Sequence, residues 1–318
     1  MRIIMNKNVL NIIKLISLPI ILYLLFSISA SGFGIHSLPI VISQSMIPTM
    51  MGLGLYLMMN ADLMDLSMGA RTVFAAIIGG IMAQKFGVAG LVAGCFIGGM
   101  AVALFMALLY RFMKIPAMVI SLGIVLIFEV AGAKLVGSSG YLRITEAEYF
   151  VGSYPCNVII VFAAAVFAYI LYYRTRVGSY ITAVGNDEKM CKNVGINADR
   201  IKFTAIVLTG IFGSLSALLY ICYSGSITAG TEMTSMGMVF KPIMCVILGR
   251  YMRKRIECMP LLIFVGGISI TIIFNGFVAL GFSEALQDIA LGVFLIIILG
   301  SGVISKSFLA LKEAKGRA

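Results

Sequence analysis

The chain has 318 residues, of which 61% are hydrophobic and only 12% charged, and its mean hydropathy is +1.06. Soluble domains carry about 25% charged residues, so this composition excludes an ordinary soluble domain and indicates a membrane protein. The net charge of +11 would suit a nucleic-acid partner, but its distribution along the chain favours membrane topology, and no nucleic acid is expected.

The amino-terminal segment looks like a secretory signal peptide. Arg2, Lys7 and Lys14 precede an apolar run that ends near Ser29-Ala30-Ser31. A cleaved signal peptide is expected where a chain has one such run. Because many apolar runs follow here, we expect an uncleaved first helix.

Ten membrane spans are predicted, since a helix needs about 20 apolar residues to cross the hydrocarbon. The eighth span is short and region 50–70 is polar, so either is open to interpretation as a broken or re-entrant helix. The prediction is an all-α, polytopic transmembrane bundle that forms a single domain over 1–318. The spans are 12–31, 38–58, 68–86, 88–110, 115–136, 156–173, 202–223, 235–249, 260–280 and 285–304.

The basic residues support this topology. With a cytoplasmic start, 20 of the 24 Lys and Arg fall inside, and the other 4 fall outside or toward the outer ends of spans. The positive-inside rule predicts such a split. We therefore expect a multi-pass protein of the cell membrane with both termini in the cytoplasm. The four outer residues are Lys85, Lys134, Arg143 and Lys241.

Small residues recur at helical spacing in two spans. Gly90, Gly94 and Gly98 do so in the fourth, and Gly210 with Ser214 and Gly213 with Ala217 in the seventh. Such spacing lets helix backbones approach closely in lipid, so these faces are expected to pack against other helices.

Three polar features could carry function. Asn60, Asp62, Asp65 and Ser67 lie near a predicted membrane boundary, where they could line a translocation pathway; alternatively, Asp65 or Ser67 caps the third span. Glu129 lies inside the fifth span, either in the pathway or as a carboxyl bonded to a neighbouring helix. The five candidate pathway residues are Asn60, Asp62, Asp65, Ser67 and Glu129.

The third feature is the hydrophilic segment 174–202. Asn186 or Asp187 can cap a short helix over 188–194 that Gly195 ends. Met190 and Val194 are spaced to share a face of it. The capped form predicts a docking element, and the alternative is a solvated loop. The predicted docking residues are Asn186, Asp187, Glu188, Lys189, Met190, Cys191, Gly195 and Ile196.

Other chemistries find little support. The one histidine, His36, cannot build a multi-histidine metal site or a histidine-based triad. Gly300 through Ser307 resembles a nucleotide-binding loop but lacks its second glycine. The six cysteines contain no C-x-x-C pair and are expected to be small hydrophobes in helices.

Four motifs in order resemble the permease subunits of sugar-type ABC importers, the ribose, xylose and autoinducer-2 group. The likeness runs from about residue 50 to the carboxyl terminus. The D-L-S-x-G signature is met at 65–69, an R-T-x-x-G…A-x-G stretch followed by Gly-Ile at 174–196, T-A-G at 228–230 and V-x-L-G at 246–249. The chain departs from the family at Leu63, at 189–191 and after Gly249, which bears on the partner ATPase and the substrate.

The resemblance implies a permease that is not itself an enzyme and holds no cofactor, since ATP is used by an ABC ATPase subunit docked at 174–202. It also implies a second permease copy, identical or paralogous, and an extracytoplasmic substrate-binding protein that delivers a sugar or sugar-like solute. An inverted repeat of spans 2–5 and 7–10 is a further hypothesis, because Ser67-Met68-Gly69 recurs as Ser235-Met236-Gly237. The alternatives are a secondary transporter coupled to an ion through Glu129, Asp62 or Asp65, and a non-transporting membrane scaffold or enzyme subunit.

Overall fold

The computed structural model describes residues 2–30, 32–137, 140–253, 257–283, 285–287, 289–294 and 296. Its helices are α1 Arg2–Ser29, α2 Leu38–Asn60, α3 Met68–Met113, α4 Ala117–Val136, α5 Cys156–Arg174, α6 Arg176–Asn186, α7 Glu188–Asn193, α8 Ala198–Ser224, α9 Phe240–Met252 and α10 Met259–Ala279. Short 3-10 helices cover Ile35–Ser37, Glu146–Val151 and Thr234–Val239, and the strands β1 Tyr141–Arg143 and β2 Ser226–Thr228 pair antiparallel.

The predicted all-α membrane bundle is confirmed. Among the described residues, six helical segments are long and apolar enough to cross a membrane: Ile35–Asn60, α3, α4, α5, α8 and α10. A shorter apolar helix covers Ala285–Phe294, which is the start of the predicted tenth span. The rest of that span, and the loop-like motif at 300–307, lie outside the described residues.

Helix α3 consists of two spans that fold back on each other. Gly87 breaks it with φ 57° and ψ −145°, a conformation that glycine adopts at little cost. Gly94 packs so tightly on the other arm that an added Cβ would lie 2.7 Å from the Gly79 Cα. The predicted spans 68–86 and 88–110 and their small-residue packing face are therefore confirmed.

The centre of the bundle is α2, whose residues 48–58 are buried on all sides. Helix α8 packs beside it and along both arms of α3, again through small residues: a Cβ on Gly99 would lie 2.3 Å from the Ser214 hydroxyl. Helices α9 and α10 cover another side of α2, and α1 packs on α10, where Phe26 lies against Gly276.

The bundle has two distinguishable ends. We call the end where α2, α5 and α9 finish and α8 begins the basic end; there Arg250 donates to the Asn60 side chain at 3.4 Å and the Tyr173 hydroxyl accepts from the Met259 N–H at 3.1 Å. The other, the strand end, carries β1 and β2, and Tyr23 there donates to the Gly34 carbonyl at 2.8 Å.

The eighth span is broken, as one of the two interpretations predicted. Helix α9 has 13 residues and is therefore about 20 Å long, too short for a hydrocarbon core of about 30 Å. The 3-10 helix Thr234–Val239 precedes it. Region 50–70 divides differently: α2 stays helical through Asn60, and the irregular part is confined to 61–67.

A candidate translocation cavity and docking segment

Loop 61–67 is tied into the bundle by a buried ion pair. Asp65 Oδ2 lies 3.0 Å from Arg71 Nη2, and both side chains are completely buried. Arg71 also donates to the Thr209 hydroxyl on α8 at 2.6 Å. Burying two ions is costly, and such further hydrogen bonds offset part of that cost, although the Arg71 Nε has no hydrogen-bond partner among the described residues. The pair therefore joins the loop, α3 and α8 into one unit.

The capping expected at the start of α3 takes a different form. The side chain of Ser67 makes no cap hydrogen bond to the helix. Instead its hydroxyl donates to Asp65 Oδ1 at 2.6 Å, and its N–H donates to the same oxygen at 2.8 Å. These two bonds hold the Asp65 carboxylate in position for its ion pair with Arg71.

Glu129 holds the broken eighth span. Its side chain is buried and accepts from the N–H of Met233 at 2.8 Å and from the N–H of Ser235 at 2.7 Å. It also accepts from the Ser235 hydroxyl. A break inside a membrane exposes backbone N–H groups that need acceptors. Glu129 supplies them from α4, which agrees with the alternative of a carboxyl bonded to a neighbouring segment.

Gly69 makes this arrangement possible. An added Cβ there would lie 2.0 Å from the carbonyl oxygen of Ser235, so only glycine lets the start of α3 approach the 3-10 helix. The two S-M-G triplets of the sequence thus meet in space. The inverted repeat that they motivated stays a prediction.

Asn60 and Asp62 belong to the basic end. Asn60 ends α2, and its carbonyl oxygen lies so close to α6 that a Cβ on Gly185 would come within 1.8 Å of it. Asp62 is exposed in the following loop. Both therefore lie where α6 rests on the membrane bundle.

A cavity of about 520 Å³ lies between α2, α8, α10 and the broken eighth span. Asn275 donates to Gln44 at 2.7 Å across it, and the Lys241 ammonium lies 4.5 Å from the Phe274 ring centroid. The five residues predicted for a pathway are not among its lining. That lining comprises Gln44, Ile47, Pro48, Met51, Tyr220, Tyr223, Ser224, Thr234, Gly237, Met238, Lys241, Pro242, Thr271, Phe274, Asn275 and Leu291.

Sequence reasoning did not single out Gln44, Thr271 and Asn275, although a signal was present. Each is a polar residue inside a predicted span, where polar groups face protein or water rather than lipid. Lys241 carried the same signal at the start of the eighth span.

The predicted helix in segment 174–202 is confirmed as α7, Glu188–Asn193. Asp187 accepts from the Met190 N–H at 2.9 Å and so caps it, whereas Asn186 ends the preceding helix. Gly195, at φ +83°, lies just beyond the end of the helix. Helix α6 was not predicted; Thr175 caps it by accepting from the Gly178 N–H at 3.3 Å.

The side chains of α7 and of the three residues that follow it divide into exposed and anchoring sets. Met190 is 67% exposed and Val194 70%, and Lys189 is also exposed. Cys191 is buried in a small cluster with Val184 and Ala198, and Ile196 packs against that cluster. The anchoring set fixes α7 on the bundle while the exposed apolar pair points away from it.

Glu188 locks α7 to α8. Its two carboxylate oxygens accept from Lys192 and Lys202, each at 2.6 Å. The hydrogen bonds from Lys192 and then Lys202 lower the pKa of Glu188 to about 2.

Known proteins resemble this chain over most of its length. Residues 37–299 match the family model for the permease component of branched-chain amino acid transport systems. An autoinducer 2 import system permease protein, LsrC, of Yersinia pseudotuberculosis is 25% identical over 71% of the chain and 65% of its own length. The ribose import permease protein RbsC of Escherichia coli is 25% identical over 69% of the chain and 72% of its own length.

A solved structure shares the fold. A structure described as an inward-facing metal-chelate type ABC transporter superposes with a TM-score of 0.52 at 14% identity, over 83% of this chain and 85% of that one. The chain spans about two thirds of the length of the autoinducer 2 relatives. The helical bundle, the order of the motifs and the match over 37–299 together show that this chain belongs to the permease-component family of branched-chain amino acid transport systems.

Proposed function

We propose that this chain is the membrane-spanning permease subunit of an ABC importer for a sugar or sugar-like solute, driven by a separate ATPase subunit that docks on α7. The observation that carries the proposal is the exposed pair formed by Met190 on α7 and Val194 just after it, in a segment that the Glu188–Lys202 ion pair and the buried Cys191 hold against the bundle. Exposed apolar side chains on an otherwise polar segment mark a contact surface for a partner.

The basic end is then the cytoplasmic end. Segment 174–202 and the end of α9, with Arg250 and Arg253, carry lysines and arginines of the kind that the positive-inside rule assigns to the cytoplasm. This orientation puts the amino terminus inside and the strand end outside, where a substrate-binding protein would deliver the solute. We infer that the carboxyl terminus, which lies beyond the described residues, is inside as well.

The contacts between α7 and the cavity walls support a mechanical role for this segment. Helix α6 rests on the end of α2 through Gly185, and α7 is bonded to α8 through Glu188 and Lys202. The same two helices wall the cavity through Gln44 and Tyr223. A push on α7 by the ATPase therefore reaches both walls of the cavity through rigid helices, which suits a two-state access change.

In this mechanism the candidate pathway residues stabilise helices and loops of the bundle and do not contact the solute. Asp65 and Ser67 hold Arg71, and Glu129 holds the broken span. Ion coupling through Asp65 or Glu129 would have to break these bonds first.

We place the second permease copy against an exposed apolar face of the bundle, with lipid covering the rest. We expect this chain to bind no cofactor of its own.

Copurification tests the proposal. The tagged chain is purified from its native cells, and the amount of ABC ATPase that copurifies per permease is measured for wild type and for the Met190→Asp, Val194→Asp double variant. We expect capture by wild type and a loss of about ten-fold or more in the variant, because two charges now face an apolar contact. Phe150→Asp, at an exposed position of the strand end, should leave capture unchanged. Failure of the wild-type chain to retain an ATPase would overturn the proposal.

A further inference from the structure

We propose that the cavity of about 520 Å³ is a binding site for a small, hydroxyl-rich solute on its way through the membrane. This inference rests on the proposed function and deepens it, because it assigns the site and the side chains that select the solute. Its volume falls within the range of about 300–1,000 Å³ that small-molecule sites occupy.

The position of the cavity is the first argument. It lies where the eighth span is interrupted, so that Thr234, Gly237 and Met238 of the irregular segment form part of its wall. Irregular backbone at membrane depth is tolerated where it is held by protein or lines a cavity. Discontinuous helices of this kind commonly form substrate sites in transporters.

The polar groups are the second argument. Gln44 on α2 and Asn275 on α10 lie inside spans and are half-buried, and their side chains bond to each other at 2.7 Å. Asn275 also donates to the Thr271 carbonyl at 3.0 Å. Among the described hydrogen bonds, these use the oxygen of Gln44 and the nitrogen of Asn275. The other polar atoms of the two amides are the Gln44 nitrogen, a donor, and the Asn275 oxygen, an acceptor. Together they match a solute hydroxyl, which both donates and accepts.

The apolar part of the wall is the third argument. Tyr220, Tyr223 and Phe274 present aromatic surface to the cavity, and the Lys241 ammonium stacks on the Phe274 ring at 4.5 Å. Aromatic side chains combine apolar contact area with, in tyrosine, a polar hydroxyl. Amides and hydroxyls beside aromatic faces suit a solute whose hydroxyls alternate with C–H surface.

Fixed geometry is the fourth argument. Glu129 holds the back of the segment that carries Thr234, so this wall of the cavity does not need the solute to order it. A wall that is already ordered spares the solute the cost of ordering it on binding.

Solute protection of engineered cysteines tests this site. Thr234→Cys and Gly237→Cys, both in the cavity lining and apart from the Gln44 and Asn275 pair, are introduced separately into the full chain, assembled with its ATPase in proteoliposomes, and labelled with a membrane-impermeant maleimide. D-ribose, D-glucose, myo-inositol and L-leucine are added one at a time. Ser37→Cys, at the strand end outside the cavity lining, is the matched control, and the unsubstituted chain gives the background of its native cysteines.

We expect at least one of the three polyols to slow labelling of both cavity cysteines by about ten-fold at ten times its Kd, with no effect at Ser37→Cys and none from L-leucine. Labelling that no polyol slows overturns the inference, and so does protection by L-leucine equal to that by the polyols. ATPase capture does not involve these residues. If the ATPase is captured but no solute protects the cysteines, only the assignment of the cavity as a binding site is overturned. If no ATPase is captured, the proposed function itself is overturned.

Discussion

Replacing Glu129 by glutamine is expected to loosen the broken eighth span without unfolding the bundle. Both bonds from Ser235 end on the same carboxylate oxygen, Oε1, whereas the Met233 N–H donates to Oε2. A glutamine keeps one accepting oxygen for Ser235. Its amide nitrogen would then face the Met233 N–H, so that two donors meet and one charge-assisted bond is lost.

The structure sets the magnitude of this effect. A hydrogen bond to a charged group contributes about 1.5–3 kcal/mol, and an unsatisfied buried donor costs about 1–3 kcal/mol. Relaxation offsets part of the combined cost, so we take about 2 kcal/mol for local opening of the segment. That figure corresponds to about 30-fold faster amide exchange where exchange proceeds by local opening.

Hydrogen–deuterium exchange of the purified chain, followed in peptides that cover 229–239, measures this directly. Glu232→Gln is the matched control, because Glu232 is the exposed acid of the same segment. We expect faster exchange in Glu129→Gln and wild-type exchange in Glu232→Gln. Equal exchange in all three proteins would refute the anchoring role of Glu129.

Three other predictions concern the contacts around the site. Arg71→Met leaves Asp65 buried without its partner and should lower the free energy of unfolding by about 3–5 kcal/mol. The double variant Arg71→Met, Asp65→Leu should recover part of that stability in thermal unfolding in detergent, and equal losses in both variants would contradict this. The pKa of Glu188 is lowered to about 2, so its stabilising contribution is present above pH 4.5 and is lost as the pH falls toward 2. Protease access to α7 should therefore rise more over that window in wild type than in Lys202→Met, in which the bond between α7 and α8 is already lost; an equal rise in both would contradict this. Gly185→Ala places a Cβ against the carbonyl that ends α2 and should reduce ATPase capture several-fold with the fold retained by circular dichroism, while unchanged capture would argue against the α6 contact.

Much of the fold was predictable because lipid imposes strict rules on a sequence. Length and hydropathy located the spans, and the glycine spacing of the fourth span identified the face that packs on Gly79. Helix α7 followed from local chemistry alone, since Asp187 and Gly195 define its limits.

The site was harder to predict because its residues come from distant parts of the chain. Gln44 and Asn275 are separated by 231 positions, and Glu129 and Ser235 by 106. Nothing local in the sequence pairs them. Asp65 showed the same difficulty: its signature motif was recognised, but only the fold shows that it holds Arg71 rather than a solute. Helix α6 was missed because its glycines, Gly178 and Gly185, are typical of loops, whereas here they allow contact with α5 and α2.

ATP-dependent uptake by proteoliposomes tests the central claim most directly. Vesicles that contain this chain with the ATPase and the substrate-binding protein that copurify with it are loaded with ATP on the ATPase side, and uptake of radiolabelled polyol is followed. Uptake that requires ATP and is abolished by the Met190→Asp, Val194→Asp variant is the result predicted here. Accumulation by this chain alone, without ATPase or ATP and driven by an ion gradient, would contradict the account.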